Sequence, residues 1–134
     1  SDVCSSDLSD AGLVGLRGAT YLDATETGFP PRLQEPEAVT FGERPVDRVY
    51  YSDSSVQLRD AVLGRVVHIV KSGSPQTVVW NPGKEGDHMR CARPGEWRGF
   101  VAVEAAACRD RGVTLAPGES HTLSQTLSVE TLDV

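Results

Sequence analysis

The chain has 134 residues, a length that allows one domain with a hydrophobic core but not two. Its 39% hydrophobic and 24% charged residues are typical of a globular protein and argue against intrinsic disorder. The formal net charge of −6, with scattered basic residues, argues against a nucleic-acid partner, because binding a phosphate backbone requires clustered lysine and arginine. No apolar run approaches the length of a membrane span, so we expect no membrane association.

The first eight residues, SDVCSSDL, look foreign to the rest of the chain. They resemble a translated sequencing adapter, and such a segment is left out of fold reasoning. We therefore treat residues 1–8 as an artefact and residues 9–134 as the natural polypeptide.

The elements in chain order are short β-rich runs separated by Gly, Pro, Asp and Ser. The predicted strands are 13–22, 38–41, 48–51, 56–58, 65–71, 76–80, 97–107, 113–115 and 121–129. Two polar stretches with several prolines or glycines, 23–36 and 84–96, are predicted loops. Helix signals are weak and no helical crossovers separate the strands. The pattern predicts an all-β protein built as an antiparallel β-sandwich.

The last predicted strand has the clearest alternation of apolar and polar residues. Leu123, Leu127 and Val129 fall on one face together with Gln125, and small hydroxyl residues fall on the other. We therefore expect one buried and one solvated face for residues 121–129.

Glu104 is the most informative candidate for chemistry. It is the one charged residue in the run FVAVEAAAC, and alternation places it on the same face as Ala102 and Ala106. Small neighbours are expected to leave a hollow beside the carboxylate, and a partly dry carboxylate suits a general base near neutral pH. An exposed glutamate on a solvated strand face is the alternative.

Three further residues are weaker candidates for substrate binding. Asp47 could accept hydrogen bonds from sugar hydroxyls, although aspartate is also common at a turn before a strand. Trp80 could stack on a sugar ring and Asn81 could pair with hydroxyls. Packing in the core and capping of the Asn81-Pro82-Gly83 turn are the corresponding structural alternatives.

The histidines and cysteines indicate neither hydrolytic chemistry nor a metal site. His68, His88 and His121 show no spacing typical of a nucleophile–base–acid triad. The cysteines at positions 4, 91 and 108 form no CxxC pair, so we predict no disulfide and no zinc site. Reduced thiols favour a cytoplasmic protein.

Several segments together resemble the hexose-6-phosphate mutarotases (glucose-6-phosphate 1-epimerases) of the galactose mutarotase-like superfamily. The matching stretches, in the order found in that family, are LRGATYLD (16–23), VDRVY (46–50), VVWNPG (78–83), EWRGFVAVEAA (96–106) and VTLAPGESHTLSQTLSV (113–129). The resemblance implies a galactose mutarotase-like β-sandwich of which residues 9–134 form the C-terminal half. It also implies that this sandwich interconverts the α and β anomers of a hexose 6-phosphate, without metal or organic cofactor.

The same resemblance assigns roles to individual residues. Glu104 matches the family's catalytic carboxylate, Asp47 its substrate-binding aspartate, and Trp80 and Asn81 a segment near the sugar. The family's catalytic histidine and phosphate-binding arginines have no counterpart here and are expected upstream, so the chain alone is expected to have little activity. The implied partner is a small sugar phosphate, and the full-length protein is expected to be a monomer. A non-catalytic carbohydrate-binding module and an epimerase of unphosphorylated aldoses are the alternatives.

Overall fold

The computed structural model describes residues 7–132 and the backbone of residues 2–4. Its strands are β1 (Asp2–Cys4), β2 (Ala11–Val14), β3 (Thr20–Asp23), β4 (Pro31–Leu33), β5 (Ala38–Thr40), β6 (Val46–Tyr50), β7 (Val56–Asp60), β8 (Arg65–Ser72), β9 (Gln76–Asn81), β10 (Phe100–Ala106) and β11 (Ser124–Thr131). The helical elements of the described residues are short 3-10 turns at Leu8–Asp10, Gly83–His88, Glu96–Gly99 and Arg109–Arg111. None of them has the length and apolar character needed to cross a bilayer.

The strands form two antiparallel sheets, as the sequence predicts. One sheet has the order β1-β10-β9-β6-β3-β4 and the other the order β11-β8-β7-β2-β5. Side chains from both sheets meet in one hydrophobic core. Its fully enclosed members include Leu13, Leu58 and Ile69 from the second sheet and Val79, Val101 and Val103 from the first. The all-β sandwich is therefore confirmed.

The predicted strand 13–22 is two strands that belong to different sheets. β2 pairs with β5 and β7, whereas β3 pairs with β4 and β6. The chain changes sheet through Gly15 and Gly18, which have φ angles of 109° and 83°. Positive φ is readily accessible to glycine alone, so these two residues allow the chain to turn from one sheet to the other. The apolar residues on both sides make the segment look like one continuous strand in the sequence.

We expect Gly15→Ala to destabilise the fold much more than Gly18→Ala. Both substitutions place a side chain at positive φ, which costs about 1 kcal/mol or more. A Cβ at Gly15 would also lie 2.7 Å from the Ser55 carbonyl oxygen, whereas one at Gly18 would meet nothing within 4 Å. Urea unfolding of both variants measures the difference. Equal losses of stability would show that close packing at the corner contributes nothing.

Three other predicted boundaries differ from the structure. The predicted loop 23–36 contains β4, whose Pro31 lies in an edge strand, where a missing N–H is tolerated. The predicted strand 97–107 opens with the turn Glu96–Gly99 and becomes extended at Phe100. Residues 113–115 form no strand, and Val113 and Leu115 are about half exposed.

The prediction of one buried face for the last strand is wrong. Leu127 and Val129 are 41% and 62% exposed, although they lie opposite the core residues Ile69 and Val67 of β8. Their alternation therefore does place them on the core side of the sheet. In the described residues β11 is an edge strand, and its hydrogen bond to the first sheet is made by Gln125, whose Nε2 donates to the Val103 carbonyl oxygen at 2.9 Å.

The assignment of residues 1–8 to an artefact stays a prediction. The structure pairs β1 with the edge of β10 and buries Leu8 in the core, at 2% exposure. Ser1, Ser5 and Ser6 lie outside the described residues. This placement is compatible with a natural segment and with an artefact. An exposed sheet edge can pair with an added strand of either origin.

Candidate active site

The alternation predicted for the strand that carries Glu104 is confirmed. Val101 and Val103 of β10 are fully enclosed in the core, and Glu104 lies on the opposite, outer face. Its position across from Val78 of β9 fixes which residues share that face, since directly paired residues point to the same side of a sheet. The outer face of this first sheet is therefore the surface on which the candidate site is built.

The structure does not enclose Glu104 in the hollow that the sequence predicts. Glu104 is exposed, although Ala102 beside it is 3% exposed and Ala106 is half-buried. Small neighbours lower the local surface, but they do not enclose a carboxylate when no element lies over it. In this structure Glu104 is solvent-exposed, and the expectation of a partly dry environment is wrong.

Asp47 and Trp80 share the outer face with Glu104. Asp47 of β6 pairs with Trp80 of β9, and Trp80 pairs with Ala102 of β10, so they form one row across three strands. Glu104 lies two residues further along β10. A strand spacing of about 4.8 Å and a rise of about 3.3 Å per residue place the Cα atoms of Asp47 and Glu104 roughly 12 Å apart. Trp80 is half-buried and lies between the two carboxylates.

The aromatic surface around Trp80 includes a residue that sequence reasoning missed. Phe100 of β10 is half-exposed, and its ring centroid lies 5.8 Å from that of Trp80 at an interplanar angle of 46°. Phe100 lies four residues before Glu104 in the same strand, so period-two alternation places both side chains on one face and could have identified Phe100 from the sequence. Tilted aromatic rings form an apolar platform on which the C–H face of a sugar can rest.

Asp47 is the carboxylate whose protonation the fold perturbs. Partial burial raises the pKa of Asp47 above its ordinary value of 3.8, and the nearby negative charge of Asp23 raises it further. Both effects penalise the ionised form. A ligand that donates hydrogen bonds to this carboxylate would offset the penalty, because hydrogen bonds to the charged form favour it.

We expect Asp47→Asn to stabilise the fold near neutral pH. The raised pKa of Asp47 means that the native state holds a proton that the unfolded chain has already released. The free energy of unfolding of the wild type therefore decreases as pH rises from 3.8 through the pKa of Asp47 in the folded state. The Asp47→Asn variant has no ionisable group at this position and lacks this decrease. Urea unfolding across this range should show a difference that grows with pH. Asp10→Asn, at an exposed position, is the control. A pH-independent difference would contradict the argument.

The prediction that Asn81 contacts substrate is not supported by its placement. Asn81 pairs with Val46 of β6, which puts its side chain on the core side of the sheet, and it is 1% exposed. Its Nδ2 donates to the carbonyl oxygens of Trp97 and Phe100 at 2.7 and 2.8 Å, and its Oδ1 accepts from Gly83 N at 2.9 Å. The structural alternative, capping of the turn after β9, is the role that the geometry gives it.

The strands that form the face of Glu104 carry no histidine in the described residues. The Nε2 atom of His68 lies 2.8 Å from Glu130 Oε2 on the other sheet, and His121 Nε2 lies 2.7 Å from Gly73 O. His88 ends the 3-10 turn Gly83–His88 and is exposed. Among the described residues, no group of three or more His, Cys, Asp or Glu is placed to hold a metal ion. The described face thus supplies carboxylates and aromatic rings but not an imidazole.

Comparison with known proteins gives one consistent result. Residues 9–128 match the aldose 1-epimerase family. A protein from Cenchrus ciliaris, provisionally named glucose-6-phosphate 1-epimerase, is 33% identical over 117 residues, which cover 85% of this chain and 34% of that protein. The chain therefore spans about a third of the length of this curated relative.

Two solved structures share the fold. A protein provisionally described as a mutarotase from Salmonella typhimurium superposes with a TM-score of 0.80 at 24% identity, covering 97% of this chain and 43% of that one. The protein HI1317 superposes with a TM-score of 0.78 at 18% identity, covering 96% and 44%. Similarity at these identities establishes the mutarotase-type sandwich, and the family match covers nearly the whole chain. The resemblance found in the sequence is confirmed: the chain belongs to the aldose 1-epimerase family.

Proposed function

We propose that this chain forms part of an epimerase that interconverts the α and β anomers of a hexose 6-phosphate, with Glu104 as the base. The observation that carries the proposal is the shared outer face of Glu104, Trp80 and Asp47 in a member of the aldose 1-epimerase family. Hexose 6-phosphate as the substrate draws its support from one relative, at 33% identity.

The proposed reaction needs one base and one acid. The Glu104 carboxylate accepts the proton of the anomeric hydroxyl while an acid donates a proton to the ring oxygen, and the bond between C1 and the ring oxygen breaks. The resulting aldehyde rotates about C1–C2, and ring closure on the other face returns both protons and gives the other anomer. Each such proton-transfer group is typically worth about 10²–10⁴-fold in rate.

Two parts of this mechanism are assigned to residues beyond the described ones. The acid is proposed to be a histidine, and the described face carries none. The exposed Glu104 also requires a covering segment, because displacing water from the carboxylate strengthens its interaction with the substrate. We therefore propose that further residues of the protein complete the site over this face, and that residues 1–134 alone have little activity.

Asp47 and the aromatic pair are proposed to hold the sugar in place. The Asp47 carboxylate accepts hydrogen bonds from ring hydroxyls, and these bonds replace part of the hydration that its partial burial removes. Trp80 and Phe100 contact the apolar face of the ring. Such contacts orient the anomeric oxygen toward Glu104, and orientation is itself a large part of catalysis.

The experiment that tests the proposal compares two sugars and two proteins. Anomer exchange is followed by magnetisation-transfer NMR with glucose 6-phosphate and with glucose, using the product of the longest reading frame that contains residues 9–128. We expect faster exchange of glucose 6-phosphate than of glucose, and much slower exchange with residues 1–134. Faster exchange of glucose would favour an epimerase of unphosphorylated aldoses.

A non-catalytic carbohydrate-binding module is the second candidate function. The solvent exposure of Glu104, together with the lack of a histidine on its described face, is the observation that favours it. In that case both proteins would bind sugar and neither would accelerate exchange. Saturation-transfer NMR on the same samples measures binding independently of exchange.

A further inference from the structure

Arg48 occupies an unusual position on the opposite side of the same sheet. It follows Asp47 in β6, so its side chain points to the core side, where Gln34 and Tyr50 also lie. Its Nη1 donates to Gln34 Oε1 at 3.3 Å and to Tyr50 Oη at 3.1 Å. Its Cζ lies 4.6 Å from the centroid of the Tyr21 ring. The guanidinium is therefore held by a ring face and two neutral polar groups.

The partners that orient Arg48 are themselves fixed. Gln34 is 3% exposed, and Tyr50 is fully buried and donates from Oη to Gln34 Oε1 at 2.8 Å. The Gln34 amide nitrogen donates to the Pro36 carbonyl oxygen at 3.0 Å. Because each group in this network has its own partner, the guanidinium is pre-oriented rather than free to move.

Arg48 forms no ion pair with a carboxylate of the described residues. Asp23 lies opposite it in register, but the Oδ1 of that carboxylate accepts from Thr25 N at 3.0 Å and Thr25 Oγ1 at 2.6 Å. A half-buried guanidinium that is not in direct contact with an anion can still gain from binding one, because charge-assisted hydrogen bonds are stronger than neutral ones.

A cavity opens beside the guanidinium between the two sheets. It has a volume of about 170 Å³, and its lining includes Tyr21, Gln34, Thr40 and Arg48. The hydrogen bonds of Arg48 in the described structure all use Nη1, which leaves the N–H groups of Nε and Nη2 for a ligand. This edge of a guanidinium matches two oxygens of one oxyanion in a bidentate arrangement.

We propose that this cavity binds a small oxyanion, a carboxylate or a phosphate group, through the Nε–Nη2 edge of Arg48. The anion supplies a charged acceptor for N–H groups that make no hydrogen bond in the described structure. The site is separate from the proposed sugar face, because Arg48 and Asp47 are consecutive in a strand and point to opposite sides. It is thus independent of the proposed epimerase activity.

The test follows the arginine Nε–Hε signals of the whole chain by NMR during titration with sodium phosphate, sodium acetate or sodium chloride at equal ionic strength. We expect a saturable shift of the Arg48 signal with phosphate or acetate, and none with chloride. The anion that saturates the shift at the lower concentration shows whether the site prefers a phosphate or a carboxylate. Arg48 signals that stay unmoved with both anions, or that move equally with chloride, would overturn the proposal.

Two variants sharpen the result. Arg48→Lys keeps a positive charge but loses the planar guanidinium, so a saturable shift of the Gln34 side-chain amide, which contacts Arg48 in the wild type, should disappear in this variant. Arg32→Lys is the matched control, since Arg32 is exposed and already forms a bidentate pair with Glu26 at 2.9 and 3.0 Å. Its replacement should leave the Arg48 response unchanged. The wild-type titration decides the question even if Arg48→Lys does not fold.

Discussion

Glu104→Gln in the product of the longer reading frame is expected to slow anomer exchange of glucose 6-phosphate by about 10²–10⁴-fold, the range typical for loss of a general base. The amide keeps the shape of the side chain but cannot accept the anomeric proton. Because Glu104 is exposed in the described structure, its replacement should leave the fold intact. Substrate binding should change little. Magnetisation-transfer NMR gives the exchange rate directly.

A control variant separates the loss of a base from a general effect of charge. Glu85→Gln removes the same charge at an exposed position in the turn Gly83–His88, outside β10. We expect it to retain wild-type exchange. If Glu104→Gln exchanges anomers as fast as Glu85→Gln, Glu104 is not the base.

Asn81→Ala is expected to lower the free energy of unfolding by about 3 kcal/mol, because it removes the hydrogen bonds of one side chain to three buried or partly buried backbone groups. These are the carbonyl groups of Trp97 and Phe100 and the N–H group of Gly83. Gln125→Ala, which removes one amide donor from the Val103 carbonyl, is expected to cost about 1 kcal/mol. Urea unfolding of both variants provides the comparison.

The same experiment decides between two roles for Asn81. A structural role requires a large loss of stability in Asn81→Ala. An unchanged unfolding curve for Asn81→Ala, combined with a raised KM for glucose 6-phosphate, would instead support a role for Asn81 in substrate binding. The burial of its side chain favours the first result.

The sequence predicts the sandwich because strand alternation is a local property. Val101 and Val103 point inward and Glu104 outward for the same reason that the pattern is visible in the sequence. Asp47 and Trp80 could be assigned to one site only through the resemblance. Their common face depends on the pairing of β6 with β9, and register between strands is not visible in either strand alone.

Two of the predictions that were wrong depend on what lies above a surface. Leu127 and Val129 have the alternation of a buried face, but burial also requires a layer opposite them. Glu104 has small neighbours, yet a hollow forms only where another segment closes it. Alternation determines the face to which a side chain points but not whether another element packs over that face. The exposure of Glu104, Leu127 and Val129 could therefore not be derived from the sequence of their strands.

Asn81 illustrates a different limit. Its position after Trp80 suggested a shared role near the sugar, but consecutive residues in a strand point to opposite faces. Period-two reasoning applied to Trp80 and Asn81 would have separated them without a structure. The turn Asn81-Pro82-Gly83 carried the correct signal, since asparagine commonly bonds to the backbone two residues on.

The most direct test of the central claim locates the sugar on the protein. Intermolecular NOEs are measured between glucose 6-phosphate and the product of the longer reading frame, with selective labelling of alanine methyl groups and tryptophan. We expect NOEs from the anomeric proton to the methyl groups of Ala102 and Ala106, and from the ring protons to the Trp80 indole. NOEs confined to other surfaces, with none to these three residues, would contradict a sugar site beside Glu104.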